Sequence, residues 1–300
     1  MRVRVTVPAT SANLGPGFDV LGLALTLENV FELEEADRIS VKIAGEGAAT
    51  LPRDSENLVV RGALSVYAAA GRPLTGLRVR QANAVPPGRG LGSSATAWLG
   101  GILGANALLG GAFSREALLE LAVREEGDAD NLAAALYGGL TVACRDEGQI
   151  RVLKLPVAPA LRFPILIPDF ETKTEAARAV LPSEVSREDG VFNLARACLL
   201  IGALALGHLD LLPGAMADRW HQPYRARLFP WLQSVFDAAR EAGALGWALS
   251  GAGPSVLAVA DRAPEAVGAA MLRALRERGI GGRATVLGAA EHGSHVEIFS

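Results

Sequence analysis

Residues 86 to 96 read Pro86-Pro87-Gly88-Arg89-Gly90-Leu91-Gly92-Ser93-Ser94-Ala95-Thr96, and they open onto a stretch with no charged side chain until Arg115. Glycine at 90 and 92 lets the backbone adopt positive φ and come close to a ligand. A helix beginning here presents unpaired N–H groups and the positive end of its dipole, and both favour an anion. The hydroxyls of Ser93 and Ser94 can reach phosphate oxygens or a hydrated Mg²⁺. A Walker loop would need G-x-x-x-x-G-K-[ST], and no lysine stands here. Gly90-x-Gly92-x-x-Ala95 fits the dinucleotide pattern G-x-G-x-x-A, but two prolines precede it and its helix leads to another helix, not to a second parallel strand. Taken alone, the loop is also readable as a plain turn between strand and helix.

Outward from the loop, the uncharged stretch is long enough to cross a bilayer. Its seven glycines and Asn106 argue instead for a buried helix to about Leu109. Ser114 then reads as the N-cap of a helix from Arg115 to about Glu126. On the other side, Val3, Val5 and Val7 alternate like a strand, as do Phe31 with Leu33 and Ile39 with Val41 and Ile43. Pro8 to Asp19 is rich in glycine, proline and small polar residues and reads as loop. Asn57 opens a helix to about Ala70. Past Leu140–Cys144, a boundary near Pro156 divides the chain into 1–156 and 157–300. The second part reads as a strand at Phe163–Ile167, helices over 192–206 and 229–242, strands on either side of Ser250–Ser255, a helix over 265–278 and an edge strand over 284–287. Strands come in pairs instead of alternating strictly with helices, so the class is α+β.

Half of the residues are hydrophobic and a fifth are charged, which suits a soluble chain with a substantial core. A net charge of −3 offers no cationic field for a nucleic-acid backbone. Neither nucleic acid nor a membrane is expected as a partner. The N-terminus lacks the apolar run of a signal peptide. Cys144 and Cys198 lie far apart among apolar neighbours and are expected to be reduced core residues of a cytoplasmic protein. The four histidines, His208, His221, His292 and His295, are scattered and read as structural or surface residues.

The glycine loop has company. Pro8-Ala9-Thr10-Ser11-Ala12-Asn13-Leu14-Gly15 with Gly17-Phe18-Asp19, the loop at Gly90–Ser94, and Ser250-Gly251-Ala252-Gly253-Pro254-Ser255 resemble, in order and spacing, the three signature motifs of the GHMP kinase superfamily. The resemblance spans Val3 to Val286, and the first motif is most similar to the version in that superfamily's homoserine kinases.

The resemblance implies an N-terminal ribosomal-protein-S5-like α/β domain and a C-terminal ferredoxin-like α+β domain, with the site in the cleft between them. It implies ATP with Mg²⁺, L-homoserine as small-molecule substrate, a place in threonine biosynthesis and a homodimer. ATP phosphates would lie over Pro86 to Thr96, with Asn57 on the purine side; Asn57 is equally a helix N-cap. Metal ligands would be a loop serine, Ser93 or Ser94 (Ser94 preferred), and Glu120 within Leu119-Glu120-Leu121-Ala122; Glu125 and Glu126 read as surface charges. Asn13 and Asp19 would meet the substrate, and Arg178 and Arg225 its carboxylate. Asp130, Asn131 and Thr174 would serve catalysis. The family's His-x-Asp-Asn is here Asp128-Ala129-Asp130-Asn131, which leaves the contact at Asp128 open. Another kinase of the superfamily, acting on mevalonate, a sugar or a diphosphocytidyl alcohol, and a silent sensor of ATP and an amino acid are the alternatives.

Overall fold

The computed structural model describes residues 1–299 as two sheets with helices packed against them. In chain order the first part carries β1 (Arg2–Ala12), β2 (Leu21–Glu35), β3 (Ser40–Gly45), α1 (Leu58–Ala69), β4 (Leu77–Asn83), α2 (Ser93–Leu108), α3 (Arg115–Glu126), α4 (Ala129–Tyr137), β5 (Leu140–Asp146) and β6 (Gln149–Leu155). The second carries β7 (Phe163–Pro168), α5 (Thr174–Ala179), α6 (Arg187–Leu206), α7 (Leu212–Ala215), α8 (Gln222–Arg225), α9 (Leu232–Glu241), β8 (Gly246–Leu249), β9 (Val256–Val259), α10 (Pro264–Glu277), β10 (Gly282–Leu287) and β11 (His295–Phe299).

The larger sheet runs β11-β1-β2-β4-β3, with β5 on β2 and β6 on β5. All its pairs are antiparallel except β3 with β4. Valines 3, 5 and 7, with Phe31 and Leu33 of β2, pack on Leu99 and Ile102 of α2 in one core. The uncharged segment is therefore a buried helix. Its glycines allow close packing: a Cβ on Gly100 would lie 2.3 Å from the Phe31 ring.

The second sheet runs β10-β7-β9-β8 and is antiparallel throughout. Counted within its own unit this is the order 4-1-3-2 of a ferredoxin-like sheet, and the chain as a whole is α+β. The split at 156 needs one correction. β11 lies in 157–300 but crosses back to pair with β1, Arg2 opposite Phe299. The larger sheet thus takes its edge from the end of the chain.

Other expectations shift as well. The stretch from Pro8 to Ala12 is strand, not loop, because Pro8 pairs with Glu28 and, past a register shift, Ala9 to Ala12 pair with Leu25 to Gly22 of β2. α6 starts at Arg187, where the Ser186 hydroxyl accepts from the Asp189 amide. That helix has the length and hydropathy of a membrane span, and Val191, Leu194, Leu199 and Leu206 on it are exposed. Cys144 and Cys198 are not core residues. Both are exposed, and both are unpaired among the described residues. Cys144 lies where β5 leaves the core, between buried Ala143 and exposed Arg145.

Candidate active site

The start of α2 is built as the motif requires. Its N-cap is Gly92 at φ 70°, ψ 24°, and no side chain among the described residues caps it. The first-turn amides are therefore left for a ligand. A Cβ at Gly92 would fall 2.0 Å from Thr10 Oγ1, and one at Gly90 would fall 2.2 Å from the Ser250 carbonyl. Both glycines sit where the loop presses against the other two motifs. The Thr10 amide donates to the Leu91 carbonyl at 3.1 Å, the Ser255 amide to that of Arg89 at 3.2 Å, and the Ser250 hydroxyl to that of Gly90 at 2.6 Å. The three motifs thus form one hydrogen-bonded unit.

They enclose a cleft of about 190 Å³ between the two sheets' domains. Gly88, Arg89, Gly90, Gly92, Ser93 and Ser94 line it from the loop. Leu91, Ala95 and Thr96 turn inward and are buried. The guanidinium of Arg89 reaches into the second domain, donating to the carbonyls of Pro168 at 3.0 Å and Asp169 at 3.1 Å. Pro86 and Pro87 border a neighbouring surface hollow.

The expected metal pair needs correction. Ser94 Oγ donates to the Glu126 carboxylate, 2.6 Å from each oxygen, and both residues line the cleft. Glu120 lies elsewhere, accepting from the Ile150 amide of β6. α2 and α3 are joined by a short loop and pack against each other, so the first turn of α2 meets the last turn of α3, not its middle. Burial pushes the Glu126 carboxyl above its ordinary range, and the Ser94 hydroxyl partly opposes this. That raised proton affinity marks a carboxylate placed where a cation would be favoured. Among the described residues no three His, Cys, Asp or Glu side chains gather as a metal site. A hydroxyl and one carboxylate are hard oxygen donors, which suits Mg²⁺ completed by phosphate oxygens and water.

Opposite the loop lies a charged pocket. Asn13 (φ 69°) and Asp19 (φ 57°) adopt left-handed backbone. They are held there by the Asn13 amide, which donates to the Gly251 carbonyl at 3.0 Å and accepts from the Asp19 N–H at 3.0 Å. Arg178 grips Asp19 in a fork of two 3.1 Å bonds and also bonds Asp128. Asp19 and Asp128 line the cleft, whereas Arg178, expected at the substrate carboxylate, does not line it. Arg225 lines the cleft directly. Its Nε donates to the Ala177 carbonyl at 3.2 Å and its Nη1 to that of Gly251 at 2.9 Å. Burial lowers its pKa to about 10.

Asp130 is 3% exposed and lines the same cleft. Burial raises its pKa to about 7, opposed by the Asn131 amide and assisted by the charges of Asp128 and Asp19. Asn131 accepts from Thr10 Oγ1 at 2.7 Å, which ties the first motif to α4. Thr174 lines the cleft from the first turn of α5, beside Thr172, which the sequence did not single out.

Asn57 stands apart from this cleft. It caps α1, its Oδ1 accepting from Val59 N at 3.0 Å and Gln81 Nε2 at 2.7 Å. It also lines a second cavity of about 130 Å³ that reaches Gly88, Ser93 and Ser94 from the other side of the loop. The cap and the cavity-lining roles coexist.

The chain as a whole is similar to known proteins. Residues 57–139 match the family model described as GHMP kinases N terminal domain, and residues 200–285 the one described as GHMP kinases C terminal. A homoserine kinase of Moorella thermoacetica is 45% identical over 292 residues, covering 97% of this chain and 99% of that protein. One from a Synechococcus strain is 46% identical over 302 residues, covering 99% of this chain and 98% of its own. The crystal structure of homoserine kinase from Cytophaga hutchinsonii superposes with a TM-score of 0.88 at 32% identity, covering 99% of this chain and 97% of that one. Near-full-length identity of this order, shared with both family domains, means that the chain belongs to the GHMP kinase family, on its homoserine kinase branch.

Proposed function

We propose that the chain transfers the γ-phosphoryl group of ATP to the hydroxyl of L-homoserine, giving ADP and O-phospho-L-homoserine on the way to threonine. One observation supports this above the others. The uncapped start of α2 and the pocket of Asp19, Asp128 and Arg225 line a single cleft, so an anion cradle and a site for a zwitterion share one space.

Phosphoryl transfer asks for positioning and charge neutralisation more than for covalent chemistry. The amides of the Gly90–Ser94 turn hold the phosphate tail, and the cavity beside Asn57 takes the purine. Ser94 and Glu126 would hold Mg²⁺, which would supply positive charge to offset that of the phosphate tail. Arg225 meets the substrate carboxylate. Asp19, with Asn13 steadying its backbone, meets the ammonium, and Arg178 keeps the Asp19 and Asp128 carboxylates in place. Asp130 lines the cleft beside this pocket, and its raised proton affinity supports its taking the hydroxyl proton at neutral pH. Thr174 and Asn131 help to hold the reacting ends together.

The enzyme acts as a homodimer in the cytoplasm. The exposed apolar row Val191, Leu194, Leu199 and Leu206 on α6 supports the first, and the exposed, unpaired Cys144 and Cys198 support the second. Light scattering that returns a monomer mass ends the dimer reading.

The substrate assignment is tested by measuring phosphate transfer from ATP to homoserine and to mevalonate side by side. Transfer to homoserine is expected; transfer to mevalonate alone would remove it. Binding of ATP and homoserine with no turnover would mark a sensor.

A further inference from the structure

We infer that His221 is the positioning residue that aims the Arg225 guanidinium at the substrate carboxylate, a role that rests on the reading of Arg225 given above. The imidazole is fully buried at the junction of the two domains. Its Nε2 lies 2.8 Å from the Gly15 carbonyl. A carbonyl only accepts, so Nε2 carries the proton. In the neutral ring Nδ1 then has a free lone pair. Arg225 Nη1 lies 3.1 Å from it and can only donate. Gly15, on the first motif, therefore fixes the tautomer through which His221 holds Arg225.

The rest of the guanidinium's contacts fit this assignment. Nε and Nη1 are taken by Ala177 O, Gly251 O and His221 Nδ1, three acceptors on three different segments. Nη2 carries no bond among the described residues and is the nitrogen left for a ligand carboxylate. The imidazole has little room to turn. Phe18 stacks on one side at 5.3 Å between centroids and 30°. Asp218 Oδ2 lies 3.4 Å from Nε2, and that carboxylate is itself held by the amides of Trp220 at 2.7 Å and Gln222 at 2.7 Å. Burial, with Arg225 acting in the same direction and Asp218 and the Gly15 carbonyl opposing, holds the ring pKa at about 4. The ring is neutral at neutral pH, and Nδ1 remains an acceptor.

Two substitutions separate positioning from a merely structural hub between domains. His221→Asn keeps an oxygen at the δ position for Arg225 and gives up the Gly15 bond. His221→Gln keeps an amide at the ε position for Gly15 and gives up the Arg225 bond. Losing a hydrogen bond to a charged group predicts, for His221→Gln, a KM for homoserine raised about tenfold or more, with kcat and the KM for ATP nearly unchanged. His221→Asn should restore the homoserine KM to within about threefold of the parent, the size of error expected for such contacts. Equal KM rises in both variants, or a fall in kcat alone, would overturn the assignment. Crystal structures of the variants read the same point without catalysis: the guanidinium should leave the Gly251 carbonyl only in His221→Gln. Should neither variant fold, ¹⁵N NMR of the parent protein decides. Nε2 should be protonated and Nδ1 a hydrogen-bonded acceptor, and a proton on Nδ1 refutes the inference. Absence of transfer to homoserine by the parent would defeat the proposed function, while the NMR and crystallographic results would still judge the His221–Arg225 contact.

Discussion

Glu126 and Glu120 share one helix and have different fates. Glu126→Gln removes a cleft carboxylate facing Ser94, and kcat should fall by about a hundredfold or more. Glu120→Gln should leave turnover within a few-fold of the parent and cost about 1 kcal/mol of stability through the weakened bond to Ile150; parallel kinetics and urea melts check both. Asp130 gives a prediction about pH. Its proton affinity is higher folded than unfolded, so the native state binds protons that the unfolded chain releases between pH 3.8 and about 7. Stability in the absence of ligands should therefore fall as pH rises through that window. Asp130→Asn should flatten the decline, read from melts at pH 5 and pH 8. If Asp130 takes the hydroxyl proton, the same variant loses the acidic limb of the kcat profile and about a hundredfold in rate. A loss within about threefold would assign the work to positioning alone. Asn13, Asp19, Arg225 and the loop serines were legible from the sequence because their motifs are local. Glu126 was not, because choosing between two carboxylates on α3 requires knowing which end of that helix meets α2. His221 looked idle for a similar reason: its partner Gly15 lies 206 positions away.

Among the elements, α2 sets the site. The sequence exposed its start through glycine and hydroxyl residues and its burial through the absence of charge. Gly92→Ala places a methyl against Thr10 Oγ1 in left-handed backbone. It should destabilise the fold by about 1 kcal/mol or more and raise the KM for ATP, measured by melting and initial rates. The extent of β1 was misjudged because composition at Pro8–Ala12 is loop-like, while the ladder to β2 that makes it a strand is a nonlocal pairing. The start of α6 was misjudged because its first turn, Arg187-Glu188-Asp189, is polar, and apolar periodicity begins only at Val191. The Ser186 cap was the usable signal.

At the scale of the molecule, the α+β class was readable from the order of strands and helices, and the closure of the first sheet by β11 was not. Five short residues near an end carry no sign of which strand they will meet. Removing residues 295–300 strips that neighbour from β1 and exposes an edge. The shortened chain should melt about 5 °C or more below the parent and aggregate more readily, as scanning calorimetry and light scattering would show. The pairing of Arg2 with Phe299 has one more consequence, which concerns the order of synthesis. On the ribosome, β1 waits for β11, which is made only after the whole of the second sheet. The larger sheet therefore cannot close until Phe299 has left the exit tunnel, although most of its strands emerge early. The two ends also lie side by side. A permuted gene that joins them through a short linker and opens new ends at the Glu147–Gly148 turn would put both halves of that pair in one hairpin, and would pass the wait to β5 and β6, which then become the last and first strands made.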